Sequence, residues 1–133
     1  MRELIETFLA RGPYAVVGAS PDRAKFGNQV LRCLAGDGRP VHPVHPREET
    51  VEGLEASPSL ERLPEPVPHV SVVTPPSVTL AVVEEASRAG VELLWMQPGA
   101  ESEEAVRRAQ ALGMGVIHGG PCLLVELPGR GSR

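Results

Sequence analysis

The chain has 133 residues and a formal net charge of −4, a balance that argues against a nucleic-acid or acidic-membrane surface. Apolar residues make up 41% and charged residues 23%, which is the composition of one folded globular domain and excludes collagen, coiled coil and wholesale disorder. No apolar run is long enough to span a membrane, and the aromatic side chains Phe8, Tyr14, Phe26 and Trp95 are too few for a protein that stacks single-stranded bases.

In chain order, Leu4, Ile5, Phe8 and Leu9 recur at helical spacing and predict an amphipathic helix over 2–11, stopped at Gly12-Pro13. That helix could pack on its own sheet or on a second subunit. Tyr14–Val17 is a short apolar strand running into Gly18-Ala19-Ser20. Phe26, Val30, Leu31 and Leu34 share one face of a helix that Gly36-Asp37-Gly38 ends. Pro40–Val44 predicts a strand with Pro40 confined to its start. The stretch 45–68 is rich in Pro and Glu and holds at most a short strand and one helical turn around Ser59–Leu63. His69–Val73 is the clearest strand, closed by Thr74-Pro75-Pro76. A helix over 77–89 with Ser77 as N-cap follows, then a strand over 91–96 and the turn Gln97-Pro98-Gly99. The helix over 101–112 begins with acids and carries Arg107-Arg108 later, an order that complements its dipole. Met114–His118 is the last strand, Cys122–Leu127 a further apolar piece, and 128–133 a loose tail.

Short apolar strands separated by helices predict an α/β fold: a doubly wound, Rossmann-like five-stranded parallel sheet, order 3-2-1-4-5, with helices on both faces. The whole chain reads as a single domain with its core over about 12–126. Arginine in place of lysine (Lys25 is alone) and many loop prolines make the composition thermophile-like. The N-terminus carries acids at once and lacks an apolar signal core, so a cytoplasmic location is expected.

In such a sheet ligands bind beyond the carboxyl ends of the strands. Here every such end is a turn of small, proline or polar residues: Gly18-Ala19-Ser20, Pro43-Val44-His45-Pro46, Thr74-Pro75-Pro76, Gln97-Pro98-Gly99 and His118-Gly119-Gly120. The first is the phosphate candidate, because a strand, a glycine turn and a helix N-terminus aim backbone N–H groups at an anion. Ser20 adds a hydroxyl, and Arg23 and Lys25 lie in the insert before the helix, opened by Phe26. The full dinucleotide fingerprint is absent, since the next glycine after Gly18 is Gly27. The second strand ends in His45-Pro46-Arg47 and no carboxylate appears before Glu48. That end suits a ligand with an extra ribose phosphate better than NAD, with Arg47 or His45 as its contact. His42 and His45 are not joined by further ligands in a metal pattern. His69 reads as structural and Cys33 as buried filler. The acidic pairs Glu48-Glu49, Glu84-Glu85 and Glu103-Glu104 read as solvated faces, and His118 near Cys122 is the one arrangement that suggests a thiol–imidazole pair.

Together these turns resemble the small CoA-binding protein family, whose Rossmann-like domain also forms the N-terminal part of the succinyl-CoA synthetase alpha subunit. The resemblance is carried by Val16–Ser20, Val41–Pro46, Val72–Pro76, Glu85-Ala86 with Gly90, Leu94–Gly99, and Gly115–His118 leading to Cys122. It departs at His45, where the family commonly has Asn, and at His118–Pro121, which replace its Asp-Arg before the cysteine. The resemblance implies coenzyme A, or an acyl-CoA, as ligand. Gly18, Ala19, Ser20 and Lys25 would hold the pyrophosphate, Pro43 to Arg47 would line the adenine and phosphorylated ribose, and Thr74, Pro75, Pro76 and Gln97 would border the pantetheine arm. Without the synthetase's downstream catalytic domain, a carrier, sensor or regulatory module is expected, with a homodimer or another protein as a potential partner. The alternatives are an enzyme acting on a CoA thioester through Cys122 and His118, and a nicotinamide-nucleotide sensor.

Overall fold

The computed structural model describes residues 1–127; the expected tail over 128–133 lies outside them. Five parallel strands form the central sheet: β1 (Tyr14–Val17), β2 (Val41–Val44), β5 (His69–Val72), β6 (Leu93–Met96) and β7 (Gly115–Ile117). A small antiparallel hairpin, β3 (Thr50–Val51) and β4 (Leu54–Glu55), stands apart from it. The helices are α1 (Arg2–Ala10), α2 (Phe26–Gly36), α3 (Pro76–Arg88), α4 (Glu103–Ala111) and the short α5 (Leu123–Glu126), with a 3-10 turn at Leu60–Arg62.

The sheet is ordered β2-β1-β5-β6-β7. Ser57 makes a one-residue parallel bridge to Val44 on the outer side of β2, held by His45 N–H to Ser57 O (2.9 Å) and Ser57 N–H to Pro43 O (3.0 Å). With that bridge as the third position the arrangement is 3-2-1-4-5 with one strand more; among full strands, His69–Val72 lies beside β1, not beyond β2. Proline explains why β2 gains only this bridge. Pro43 has no N–H to give, so a strand containing it cannot support a complete ladder on both edges.

Side chains alternate across each strand and so split the core into two layers. Tyr14, Val16, Leu93, Trp95 and Ile117 face α1, α2 and α5 and pack with Ile5, Phe8, Val30, Leu31, Leu34 and Leu123. Ala15, Val70, Val72, Leu94, Met96 and Val116 face α3 and α4 and pack with Val82, Val83, Ala86, Ala105, Val106 and Ala109. The expected doubly wound fold with helices on both faces is therefore present. The N-terminal helix packs on its own sheet: Phe8 is fully buried, edge-on to Trp95 at 5.1 Å between ring centroids. His69 is structural as read, with Nδ1–H donating to Arg11 O at 2.8 Å and the ring stacked on Phe8.

Two helix starts differ from expectation. Ser77 is not an N-cap: α3 begins at Pro76, with Pro75 at the cap position. Proline suits the first helical position, where its missing N–H is not needed and its φ is already helical. The later helix begins at Glu103, not Glu101, because the Ser102 hydroxyl accepts from Ala105 N–H at 3.1 Å and caps it there. Of the acidic pairs, Glu84 is not simply solvated. It forms a two-bonded pair with Arg108, which holds its carboxylate below the usual range. Glu85 accepts the Leu60 N–H and caps the 3-10 turn.

Candidate functional site

β1 and β5 are neighbours, and their connections leave in opposite directions, so the sheet's switch point lies between Val17 and Val72. The first turn is built there by two close backbone approaches. Gly18 has φ +94°, and a Cβ on it would sit 2.1 Å from Val73 O. Gly27, in the first turn of α2, faces the Gly18 carbonyl so closely that a Cβ would lie 1.9 Å from that oxygen. Gly27 thus fills the packing role of a fingerprint's last glycine, nine residues after Gly18 because an insert intervenes. At the start of α2, Lys25 occupies the cap position and provides no side-chain cap. The helix's first N–H groups are therefore not satisfied by a capping side chain, which is the local condition for anion binding.

The insert is a compact turn. Asp22 N–H donates to Ser20 Oγ (3.1 Å), Ala24 N–H to Asp22 Oδ1 (2.9 Å), and Lys25 N–H to Asp22 O (3.0 Å). Arg23 is drawn into an ion pair with Glu52 Oε2 at 3.3 Å. Lys25 is exposed and has no ion pair among the described residues. Phe26 is half-buried and packs against the α1–α2 layer. Sequence reasoning missed Asn28 and Glu52. Asn28 is fully buried; its Nδ2 donates to Ser20 O (2.8 Å) and Glu52 Oε2 (3.0 Å), and its Oδ1 accepts from Arg32 Nε (2.7 Å). The burial of this amide is visible only in the fold, and Glu52 reaches it only through tertiary folding.

At the end of β2, His45 Nδ1 accepts from the N–H groups of Arg47 and Glu48, both at 3.0 Å. An accepting Nδ1 places the ring proton of the neutral imidazole on Nε2. The ring does what an Asn oxygen does in a side-chain-capped turn. Pro43 is buried in the strand and Arg47 is exposed.

Gly18, Ala19, His45 and Thr74 come together around a cleft of about 340 Å³. Val17, Val44, Pro46 and Pro58 complete one wall, and the α3 residues Val78, Ala81, Val82 and Glu85 the other. The lining is chiefly apolar, with the backbone of the glycine turn at one edge. Val78 is 44% exposed and is one of few large apolar side chains left so open. Ser20, Arg23, Lys25, Phe26, Pro43, Arg47, Pro75 and Pro76 flank this cleft in sequence but do not line it. Thr74 is held by Thr79, hydroxyl to hydroxyl at 2.8 Å. A larger cleft of about 410 Å³ lies between the 3-10 turn and the end of α3, away from the strand carboxyl ends.

The other half of the rim is arranged differently. Gln97 is fully buried, with Nε2 donating to Ser71 Oγ (3.1 Å) and Oε1 accepting from Leu123 N–H (2.9 Å). Trp95 Nε1–H donates to Pro121 O at 3.0 Å. Glu101 accepts from Gly99 N–H (3.2 Å) and Gly119 N–H (2.9 Å). The Trp95–Gly99 motif thus fastens the final segment to the sheet, and the Gln97 side chain does not reach the cleft. His118 and Cys122 share no hydrogen bond among the described residues. Also among the described residues, no three His, Cys, Asp or Glu side chains converge as a metal-ion set, and no helix is long and apolar enough to cross a membrane.

The architecture is a Rossmann-like parallel sheet with a glycine-packed turn at its switch point. Comparison with known proteins makes this specific: residues 13–128 match the CoA binding domain model, and the chain belongs to that family. It is 32% identical over 113 residues to the alpha subunit of an ADP-forming acetate–CoA ligase II from Pyrococcus furiosus, covering 82% of this chain and 25% of that one. It is 35% identical over 78 residues to an ADP-forming acetate–CoA ligase I from Archaeoglobus fulgidus, 59% of this chain and 11% of that one. The chain therefore spans a quarter or less of the length of these ligases. Among solved structures, a conserved hypothetical protein from Pyrococcus furiosus is 43% identical with a TM-score of 0.80, covering 85% of this chain and 97% of that one.

Proposed function

We propose that this chain binds coenzyme A, free or acylated, across the carboxyl-end rim, and that it serves as a cytoplasmic carrier, sensor or regulatory module without a reaction of its own. The observation that carries the reading is the α2 N-terminus, without a side-chain cap and packed glycine on glycine against the β1 turn, beside an apolar cleft at the switch point. The backbone of Gly18-Ala19-Ser20 with Lys25 receives the pyrophosphate. His45 and Arg47 meet the adenosine end and its ribose phosphate, with Pro43 shaping the strand end behind them. The apolar cleft wall at Thr74 and Val78 takes the thin, largely uncharged arm, with Pro75 and Pro76 at its margin. Family membership supports the ligand class. Because one ligase relative is a subunit, a protein partner or a second copy is the natural recipient of the signal or cargo.

The test is calorimetric titration of ligand-stripped protein with CoA, dephospho-CoA, NADH and NADPH. Micromolar CoA binding that weakens when the ribose phosphate is removed is the expected result. Binding of a nicotinamide nucleotide with no heat from CoA overturns the reading.

A further inference from the structure

Glu52 stands in an unexpected place. It is the first of two residues, with Gly53, that close the β3–β4 hairpin, at φ +52° and +76°. Such turns favour Asn, Asp or Gly at that position, and a long carboxylate there is uncommon. A negative charge beside a turn built for anions also works against binding. The side chain's partners explain both features. One oxygen, Oε2, is shared between Asn28 Nδ2 at 3.0 Å and Arg23 Nε at 3.3 Å, and Asn28 passes the constraint to the Ser20 carbonyl at 2.8 Å. Arg32, held on Asn28 Oδ1 at 2.7 Å, closes the circuit by donating to Arg23 O at 3.2 Å.

We infer that Asn28, anchored by Glu52, is a positioning residue for ligand phosphate: it fixes the Ser20 carbonyl so that the Gly18–Ser20 turn keeps its N–H groups directed outward before ligand arrives. This deepens the CoA reading and rests on it for the ligand's identity. Asn28 is fully buried and touches the turn from behind, so it acts through Ser20 and not on the ligand. Peptide planes are rigid, so the bond to the Ser20 carbonyl fixes the Ser20–Pro21 plane, and the preceding plane, which carries the Ser20 N–H, is then joined to a fixed unit through the two Ser20 dihedrals alone. A turn fixed in advance loses less freedom on binding, and that difference appears as affinity.

The experiment compares wild type, Asn28→Ala and the charge-balanced exchange Asn28→Asp/Glu52→Gln, reading melting temperature, CoA affinity and amide exchange over 19–25 without ligand. In the exchange variant the new amide at position 52 can donate to the new carboxylate at position 28. That restores the bond between the two positions and the acceptor for Arg32, but nothing donates to Ser20 O. Expected are about tenfold weaker CoA binding in both variants, the effect of losing one such hydrogen bond, and faster exchange over 19–25. The exchange variant should melt closer to wild type than Asn28→Ala does. Wild-type affinity in Asn28→Ala, or recovery of affinity together with melting temperature in the exchange variant, overturns the inference. If wild type binds no CoA, the functional reading fails separately, and the exchange rates still decide: an unchanged 19–25 segment in Asn28→Ala refutes the positioning role.

Discussion

The two halves of the sheet's carboxyl rim are made of the same kinds of residue and end in opposite states. On the β1–β5 side, Gly18, Ala19, His45 and Thr74 surround an open cleft, and Lys25 is exposed at the start of α2. On the β6–β7 side, Trp95, Gln97 and Glu101 commit their polar groups to Pro121, Leu123, Ser71, Gly99 and Gly119. Turn composition marks where a ligand could bind. Whether polar groups remain available there is decided by what the neighbouring segments have already claimed.

The sharpest break in this comparison comes from Gly27→Ala. The added methyl would enter the Gly18 carbonyl, which is backbone on both sides and cannot turn away. A loss of about 3 kcal/mol is expected, read from urea denaturation, with CoA binding lost alongside. Next, Gln97→Ala should cost about 2 kcal/mol by stranding Leu123 N–H and Ser71 Oγ, while CoA affinity in the folded protein stays within about twofold. A large loss of affinity there would move Gln97 back to the ligand. Lys25→Ala should do the reverse, about tenfold weaker CoA binding with an unchanged melting temperature. The smallest effect concerns pH. Burial lowers the His69 pKa below its ordinary 6.5, so the unfolded chain takes up a proton there before the folded one does. Its contribution is intact above 6.5 and falls as pH drops from 6.5 toward the lowered value. Urea midpoints measured between neutral and mildly acid pH should therefore decline more steeply in wild type than in His69→Gln, and parallel slopes would remove His69 as the cause.

The helices and strands were legible because their faces are simple. Phe26, Val30, Leu31 and Leu34 could only be one side of α2, and a run such as His69–Val73 could only be a buried strand. The site was half legible. Gly18-Ala19-Ser20 announced itself as a glycine turn after a strand, and His45 and Thr74 as strand ends. Gln97 was read from the same pattern, yet its side chain turned inward, because a buried Ser71 hydroxyl and the Leu123 amide needed a partner. Glu101 was assigned to a helix by its charge, yet Ser102 proved the better cap and left Glu101 to join two loops.

What the sequence determined by itself is therefore everything that depends on period and local sterics: the alternating strands, the amphipathic helices, the glycine turn and the arginine-rich, acid-balanced surface. What only the tertiary structure decided is which long-range partners those residues meet. Gly18 against the Val73 carbonyl, Glu52 across to Asn28 and Arg23, and Trp95 and Gln97 onto the final segment join residues distant in the chain. Such contacts leave no periodic trace in the sequence, because each depends on how separate elements dock and on which buried polar groups that docking must satisfy.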